Sequence, residues 1–442
     1  MPRRLFTARY FTLLALIGLL VACGSTDDDD NGDPGVDDDG PGEVLMSSLE
    51  RDTSPEVDDA VREQLSADNR EFAFDLLGQM VEEGDENVFF SPHSISIALA
   101  MTYAGASGGT YEEMGQVLRF LLDEEDLHPA FNALDLELDQ RSEVDVEDGD
   151  PPRLEVVNAT WGQHDFPFRE DYLDVLAYNY GAGLRAVDFL NEYEEVRQRI
   201  NQWVEDQTEE RIKELLPEGS IEPSTVLVLT NAIYFLAGWD KEFSEGATSN
   251  QPFTRPDGTT VDAPLMSQNE SFPYFKDEDT HAISLPYVGG EMSLIALKPA
   301  EADNFAEWEE NFDQELFDDV VAGLQTGYGR VRLPKFTFEG DYNLQELFEQ
   351  MGWTNFFELH RMVEDESGGL EITGILHKSF IDLDEEGTEA AAATAVIVGE
   401  VSAPIEEFDL SFDRAFYYAI YDHPTDTILF LGRMADPTVE EE

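Results

Sequence analysis

The stretch from Asp382 to Pro404 constrains this chain more than any other, because no single local rule accounts for it. Its acidic start (Asp384, Glu385, Glu386) ends at Gly387. Thr388, Glu389, four alanines (Ala390 to Ala393) and Thr394 follow, then the β-branched run Val396-Ile397-Val398, closed by Gly399. Glu389 to Ala395 holds the best helix formers, yet it has no apolar stripe to bury and lies between a glycine and three strand formers. Read at a period of two, Thr388, Ala390, Ala392, Thr394, Val396 and Val398 share one face, and Glu389, Ala391, Ala393, Ala395 and Ile397 the other. Such a segment could pass between two strands of a formed sheet, since its first side chains are small and only Glu389 must stay in water. A surface Ala-rich helix or loop is the alternative that composition leaves open.

Charge narrows the function classes. The 442 residues are 42% hydrophobic, enough for a sizeable core, but 26 basic residues against 96 acidic ones give a net charge of −70. Binding to nucleic acid or an anionic membrane by electrostatics is excluded. Acids spread along the whole chain, with Arg preferred over Lys, read as a surface kept hydrated in concentrated salt, where screening suppresses self-repulsion.

The N-terminus reads as an address. Arg3 and Arg4 precede an apolar run from Phe11 to Ala22, too short to span a bilayer but right for a signal peptide over residues 1–22. Leu20-Val21-Ala22-Cys23-Gly24 resembles the bacterial lipobox, which implies a lipidated Cys23 as the only membrane contact and a folded part facing the periplasm or the exterior. Cys23 is the only cysteine, so no intramolecular disulfide can form. Arg3-Arg4-Leu5-Phe6 also resembles a twin-arginine export signal. Residues 23–65 read as an acidic, disordered tether, because Gly24 to Glu43 is mostly Asp and Gly and has little apolar area to bury. Asp27, Asp29, Asn31 and Gly32 imitate the opening of a calcium loop, but Asp38 stands where a bidentate glutamate is needed. No metal or cofactor is expected.

Order is expected from Ser66, a helix cap followed by Ala73, Leu76, Leu77 and Met80 at helical spacing. Val88 to Phe90 reads as a strand, Ser94 to Tyr103 as an apolar helix, and Val226 to Thr230 as a strand covered on both faces. Gly105-Ala106-Ser107-Gly108-Gly109 fits the hydrolase pattern Gly-x-Ser-x-Gly, but that motif needs a strand before it, and here a helix precedes it. A glycine-rich helix exit is the better account, and the seven histidines show no paired metal-ligand spacing. Nothing here reads as an enzyme.

Glu385-Glu386-Gly387-Thr388-Glu389-Ala390-Ala391-Ala392-Ala393-Thr394 resembles the reactive-loop hinge of inhibitory serpins. Further segments resemble that family in order: Asn87 to Ser96, Asn158-Ala159-Thr160-Trp161, Ile200 to Glu205, Asn231 to Phe235 with Gly238-Trp239, Leu285-Pro286-Tyr287, Leu333 to Phe336, Ile375 to Lys378, and Ile428 to Arg433. The similarity covers residues 66–437 as one domain and leaves 438–442 as an acidic tail. It departs at Glu210-Arg211, at Arg361-Met362-Val363 and at Ala415.

The resemblance implies an α+β serpin fold, with several helices on a large mostly antiparallel sheet, two smaller sheets and an exposed reactive loop. It implies a monomeric, irreversible inhibitor of serine proteases. The protease attacks the loop and forms its acyl-enzyme; the loop then inserts as a new strand. Gly387 to Val401 as a strand would span about 50 Å. In that reading Ser91, Ser94, Asn158, Asn231 and His377 lie where the sheet opens, and Trp239 where the loop enters. Family loop length places the reactive bond between Val401 and Ser402, or between Glu400 and Val401 if the loop is one residue shorter. A small aliphatic Val401 points to elastase-like proteases. A non-inhibitory serpin-fold binding protein is the second reading, disfavoured by the absence of bulky or proline residues from Thr388 to Thr394. A Ser107 hydrolase is the third.

Overall fold

The computed structural model describes residues 41–82, 86–143, 151–301, 305–363, 370–388 and 405–439. In chain order the elements begin with β1 (Glu43–Leu45), α1 (Asp59–Glu82), β2 (Val88–Phe90), α2 (Pro92–Tyr103), α3 (Gly108–Val117) and α4 (Glu124–Asp139). Then come β3 (Arg153–Gln163), α5 (Glu170–Tyr180), β4 (Leu184–Val187), α6 (Phe189–Gln207), β5 (Leu227–Gly238), β6 (Ser249–Thr254), β7 (Thr260–Lys276), β8 (Thr280–Pro286) and β9 (Met292–Pro299). The last third adds α7 (Phe305–Glu309), α8 (Gln314–Ala322), β10 (Gln325–Pro334), β11 (Phe336–Asn343) and α9 (Leu344–Met351). It closes with β12 (Ile372–Leu383), β13 (Gly387–Thr388), β14 (Phe408–Ser411), β15 (Phe416–Asp422) and β16 (Thr427–Met434).

The first sheet runs β1-β4-β3-β5-β13-β12-β11. The second runs β14-β10-β7-β8-β9-β15-β16-β2, with β6 on β7. Strand β7 pairs with β6 and β10 along its length and with β8 at its end, so the two smaller sheets expected from the sequence form one continuous path. The main core lies between the sheets, where Phe89 stacks on Phe430 with ring centroids 5.0 Å apart. Strand β5 is buried along nearly its whole length for a simple reason: both of its faces are covered. Leu227, Leu229 and Ile233 enter the main core, while Val228 and Ala232 meet Val196, Ile200, Trp203 and Val204, the apolar stripe of α6.

The disordered tether expected over 23–65 is corrected from Glu43 onward. Strand β1 pairs antiparallel with β4, Val44 opposite Arg185. Arg51 donates to Asn132 Oδ1 at 2.8 Å and to Asp135 Oδ2 at 2.6 Å, and the Asp52 N–H bonds the Tyr178 carbonyl at 2.9 Å. Helix α1 begins at Asp59, so Ser66 is not its cap: it is buried inside the helix and donates to the Thr425 carbonyl at 2.8 Å. This strap is polar and unpatterned, and its order comes from partners far along the chain. The signal peptide, Cys23 and the aspartate run lie outside the described residues, as do 440–442.

Candidate functional site

Strand β12 ends at Leu383 and the chain reverses over Asp384 to Glu386. Asp384 Oδ1 accepts the N–H groups of Glu386 at 2.8 Å and Gly387 at 3.2 Å, and the Asp384 N–H bonds the Gly387 carbonyl at 2.9 Å. The turn is a side-chain mimic of a backbone turn. It sends Gly387 and Thr388 back between β12 and β5, antiparallel to both: Thr388 lies opposite Leu383 on one side and Ala237 on the other. A Cβ added to Gly387 would sit 2.2 Å from the Ala237 carbonyl oxygen, so only glycine fits there.

This entry point is closely packed. Thr388 is 1% exposed, and its Oγ1 shares a 2.8 Å hydrogen bond with the Tyr287 hydroxyl. Tyr287 stacks on Trp239 at 4.7 Å, and the Trp239 indole donates to the Asp384 carbonyl at 3.0 Å. The Trp239 and Phe243 N–H groups bond the carbonyls of Glu386 and Glu385 at 2.9 and 2.8 Å. Glu385 is buried, with Thr248 on one carboxylate oxygen at 2.5 Å and Lys335 on the other at 3.1 Å. Burial works against the charge on Glu385, but Thr248 and Lys335 outweigh it and hold the carboxyl below its usual value. Burial raises neighbouring Asp384, whose two backbone donors offset only part of the effect.

Below the entry point β5 and β12 pair directly and in parallel, from Leu227 opposite Ile372 to Tyr234 opposite Phe380. Asn231 and His377 are opposite each other here, and His377 Nδ1 bonds Asn231 Oδ1. The Ser91 N–H donates to His377 Nε2 at 3.1 Å, which makes Nε2 the acceptor and Nδ1 the protonated nitrogen of a neutral ring. The Asn231 amide donates to Ser94 Oγ and to Asn158 Oδ1. Ser91 caps α2 through the Ser94 N–H and donates to the Leu429 carbonyl at 2.6 Å. One buried network thus joins β3, β5, β12 and the start of α2. It brings together Ser91, Ser94, Asn158, Asn231 and His377, whereas Trp239 stands eight residues beyond Asn231, just past the end of β5 and about 26 Å away.

Tyr287, Phe243, Thr248 and Lys335 complete the entry site; Tyr287 and Lys335 stand in segments of family resemblance, and local pattern carries no signal for Phe243 or Thr248 as site residues. Hinge residues Glu389 to Thr394 and the candidate reactive residues Glu400, Val401 and Ser402 lie outside the described residues. Ser107 sits at the start of α3, after α2, and its hydroxyl donates to the Glu358 carbonyl at 2.9 Å. No histidine ring bonds it among the described residues, and the strand that a nucleophile elbow requires is replaced by a helix.

Acid should weaken this fold. Burial holds the His377 imidazole down to about 3, and His93 and His128, also buried, to about 4. In the unfolded chain each takes up a proton near 6.5. The unfolded state therefore binds more protons below that pH, so the contribution is whole above pH 6.5 and is lost as pH falls toward the folded values. Each such histidine should cost about 1.4 kcal/mol per pH unit in that window. The thermal midpoint should fall steadily between about pH 6.5 and 4.5; a flat midpoint there would contradict buried neutral histidines.

A family model described as Serpin (serine protease inhibitor) matches residues 67–437. An uncharacterised serpin-like protein of Thermococcus kodakarensis is 39% identical over 374 residues, 83% of this chain and 84% of that protein. The leukocyte elastase inhibitor of Bos taurus is 36% identical over 386 residues, 85% of this chain and 100% of that protein. Among solved structures, the native state of tengpin, a thermophilic serpin, aligns with a TM-score of 0.77 at 26% identity, covering 89% of this chain and 99% of that one. Family match and fold agree, and the chain belongs to the serpin family of serine protease inhibitors.

Proposed function

We propose that this chain is a suicide substrate that inhibits serine proteases irreversibly, that its reactive bond joins Val401 and Ser402, and that its target is elastase-like. The observation that carries the mechanism is the register of β13, already antiparallel to both β5 and β12. Extending those pairs one residue at a time places Val398 opposite Leu227, the first residue of β5, so Gly387 to Val398 matches the flanking strand in length. Insertion would replace one parallel pairing by two antiparallel ones, the more stable kind per residue.

The same register sets chemistry against chemistry. Thr394 arrives opposite both Asn231 and His377, where its hydroxyl can take over the hydrogen bonds that those two residues now make to each other. Ala390, Ala392, Val396 and Val398 follow Thr388 toward the main core, and Glu389 falls on the other face, opposite half-buried Leu236. A dozen new ladder bonds at roughly 1 kcal/mol each are comparable with the whole stability of an ordinary protease, about 5–15 kcal/mol. That is enough to distort a catalytic site held by the acyl bond.

The elastase assignment rests on Val401, a small aliphatic residue suited to a shallow specificity pocket, and on the likeness to the leukocyte elastase inhibitor. Incubation with an elastase-type protease should give a denaturation-resistant complex, and mass spectrometry should find the released fragment Ser402 to Glu442. A fragment starting at Val401 would move the bait residue to Glu400, and cleavage only within the alanine run would withdraw the assignment. Export and anchoring through Cys23 belong to the same proposal. Cys23→Ala should abolish labelling by a radioactive fatty acid and release the protein from the membrane fraction, and retention of the label would refute lipidation at that residue.

A further inference from the structure

The chain has six lysines among 96 acidic residues. Four are engaged: Lys213 lies 3.7 Å from Glu205, Lys241 donates to the Ser271 carbonyl at 3.0 Å, Lys335 bonds Glu385, and Lys378 bonds Glu339 at 2.8 Å. Lys276 and Lys298 make no hydrogen bond or ion pair among the described residues, and one residue of the intervening strand separates them. The registers of β7, β8 and β9 set Lys276 opposite His281 and His281 opposite Lys298. Directly opposed residues project from the same face with Cβ atoms about 5 Å apart, so an imidazole stands between two ammonium groups on one face of the sheet.

Like charges so placed repel, and the Asp277 and Asp413 carboxylates offset this only in part. Lys298 is only 8% exposed. Burial, and then Arg414, lower the proton affinity of its ammonium group. The acids nearby are committed elsewhere: Asp277 Oδ1 accepts the N–H groups of Asp279 and Thr280 at 2.9 and 2.6 Å, and Asp413 accepts from the Arg414 guanidinium at 3.2 Å. Burial and the two lysines hold His281 down to about 4, so its ring is neutral at physiological pH and offers an N–H without adding charge. Three donors on three adjacent strands therefore share one face of the sheet, and neither lysine has a hydrogen-bond acceptor among the described residues.

We propose that the Lys276-His281-Lys298 ladder binds a small inorganic oxyanion of the sulfate or phosphate class. The oxyanion class follows from the spacing, because a tetrahedral ion presents separate oxygens to donors on separate strands while a halide offers one point. Charge-assisted bonds from an ammonium group to such oxygens are the strong kind. A ligand bound only by the folded state raises its stability and saturates with concentration.

Millimolar sodium sulfate titrated into the full chain, in a constant molar background of potassium chloride, should show one saturable site by calorimetry and a saturable rise of several degrees in thermal midpoint. Lys298→Met should weaken sulfate binding by roughly tenfold or more, the loss of one charge-assisted contact. Lys276→Met, on the exposed rim, should weaken it less and serves if the buried substitution does not fold. In wild-type protein the ring proton resonances of His281 should move on sulfate addition. No saturable response in the wild type, unchanged affinity in both variants, or a silent His281 would each overturn the proposal.

Discussion

If the proposed loop-insertion mechanism holds, Thr388→Arg is expected to convert the protein from inhibitor to substrate. Thr388 already occupies the slot between β5 and β12, 1% exposed, with its hydroxyl on Tyr287. An arginine there must put a guanidinium against the Tyr287 and Trp239 rings, and among the described residues nearby Glu385 is already held by Lys335 and Thr248. An uncompensated buried charge costs about 3–5 kcal/mol, enough to bias the hinge out of the sheet by two orders of magnitude or more. Insertion then loses its race with deacylation. The variant should be cleaved at the same bond as wild type, the protease should be released active, and the yield of covalent complex should fall at least about tenfold. Thr388→Ser keeps the hydroxyl and should inhibit normally. Complex formation by Thr388→Arg as efficient as wild type would show that insertion does not pass through this hinge.

Dilution into low salt should unfold the chain. With 96 acidic residues against 26 basic ones, the folded surface concentrates negative charge that the extended chain can spread apart. Its ion pairs are made largely by arginine, as in Arg141 with Asp422 and Arg433 with Glu309, both at 2.6 Å, and these use only a minority of the acids. The remaining carboxylates need hydrated counterions to hold their charge. Simple screening is nearly complete at 1 M, where the Debye length is about 3 Å. A thermal midpoint that keeps rising beyond that concentration, by on the order of 10 °C overall, would therefore mark an effect of the hydrated surface beyond screening. A midpoint flat from low to molar salt would reject a protein adapted to concentrated salt.

Much of the fold is readable in the chain because burial leaves a periodic trace. The continuous apolar run Val226 to Thr230 marks a strand covered twice, and it becomes the buried start of β5. Small residues at alternate positions from Thr388 mark a segment that could enter a formed sheet, and Gly387 and Thr388, at its start, lie inside one. The membership of the central network is also legible through resemblance, since Ser91, Asn231 and His377 stand in segments of family character. The strap from Glu43 to Asp58 is not legible. Its side chains carry no apolar period, and it is ordered by Asn132, Asp135 and Tyr178, some 80 to 130 residues away.

Sequence by itself determined which segments can be buried and which side chains are small enough to slide between strands, because those properties follow from composition and local period. Tertiary structure alone decided what each residue faces. Glu385 meets Lys335, Thr388 meets Tyr287, and His281 lies opposite Lys276 on one side and Lys298 on the other. These partners are set by strand register, and register is a property of two segments together. The energy of a charge or a hydroxyl in the interior depends on the group opposite it, and no reading of one segment contains that group.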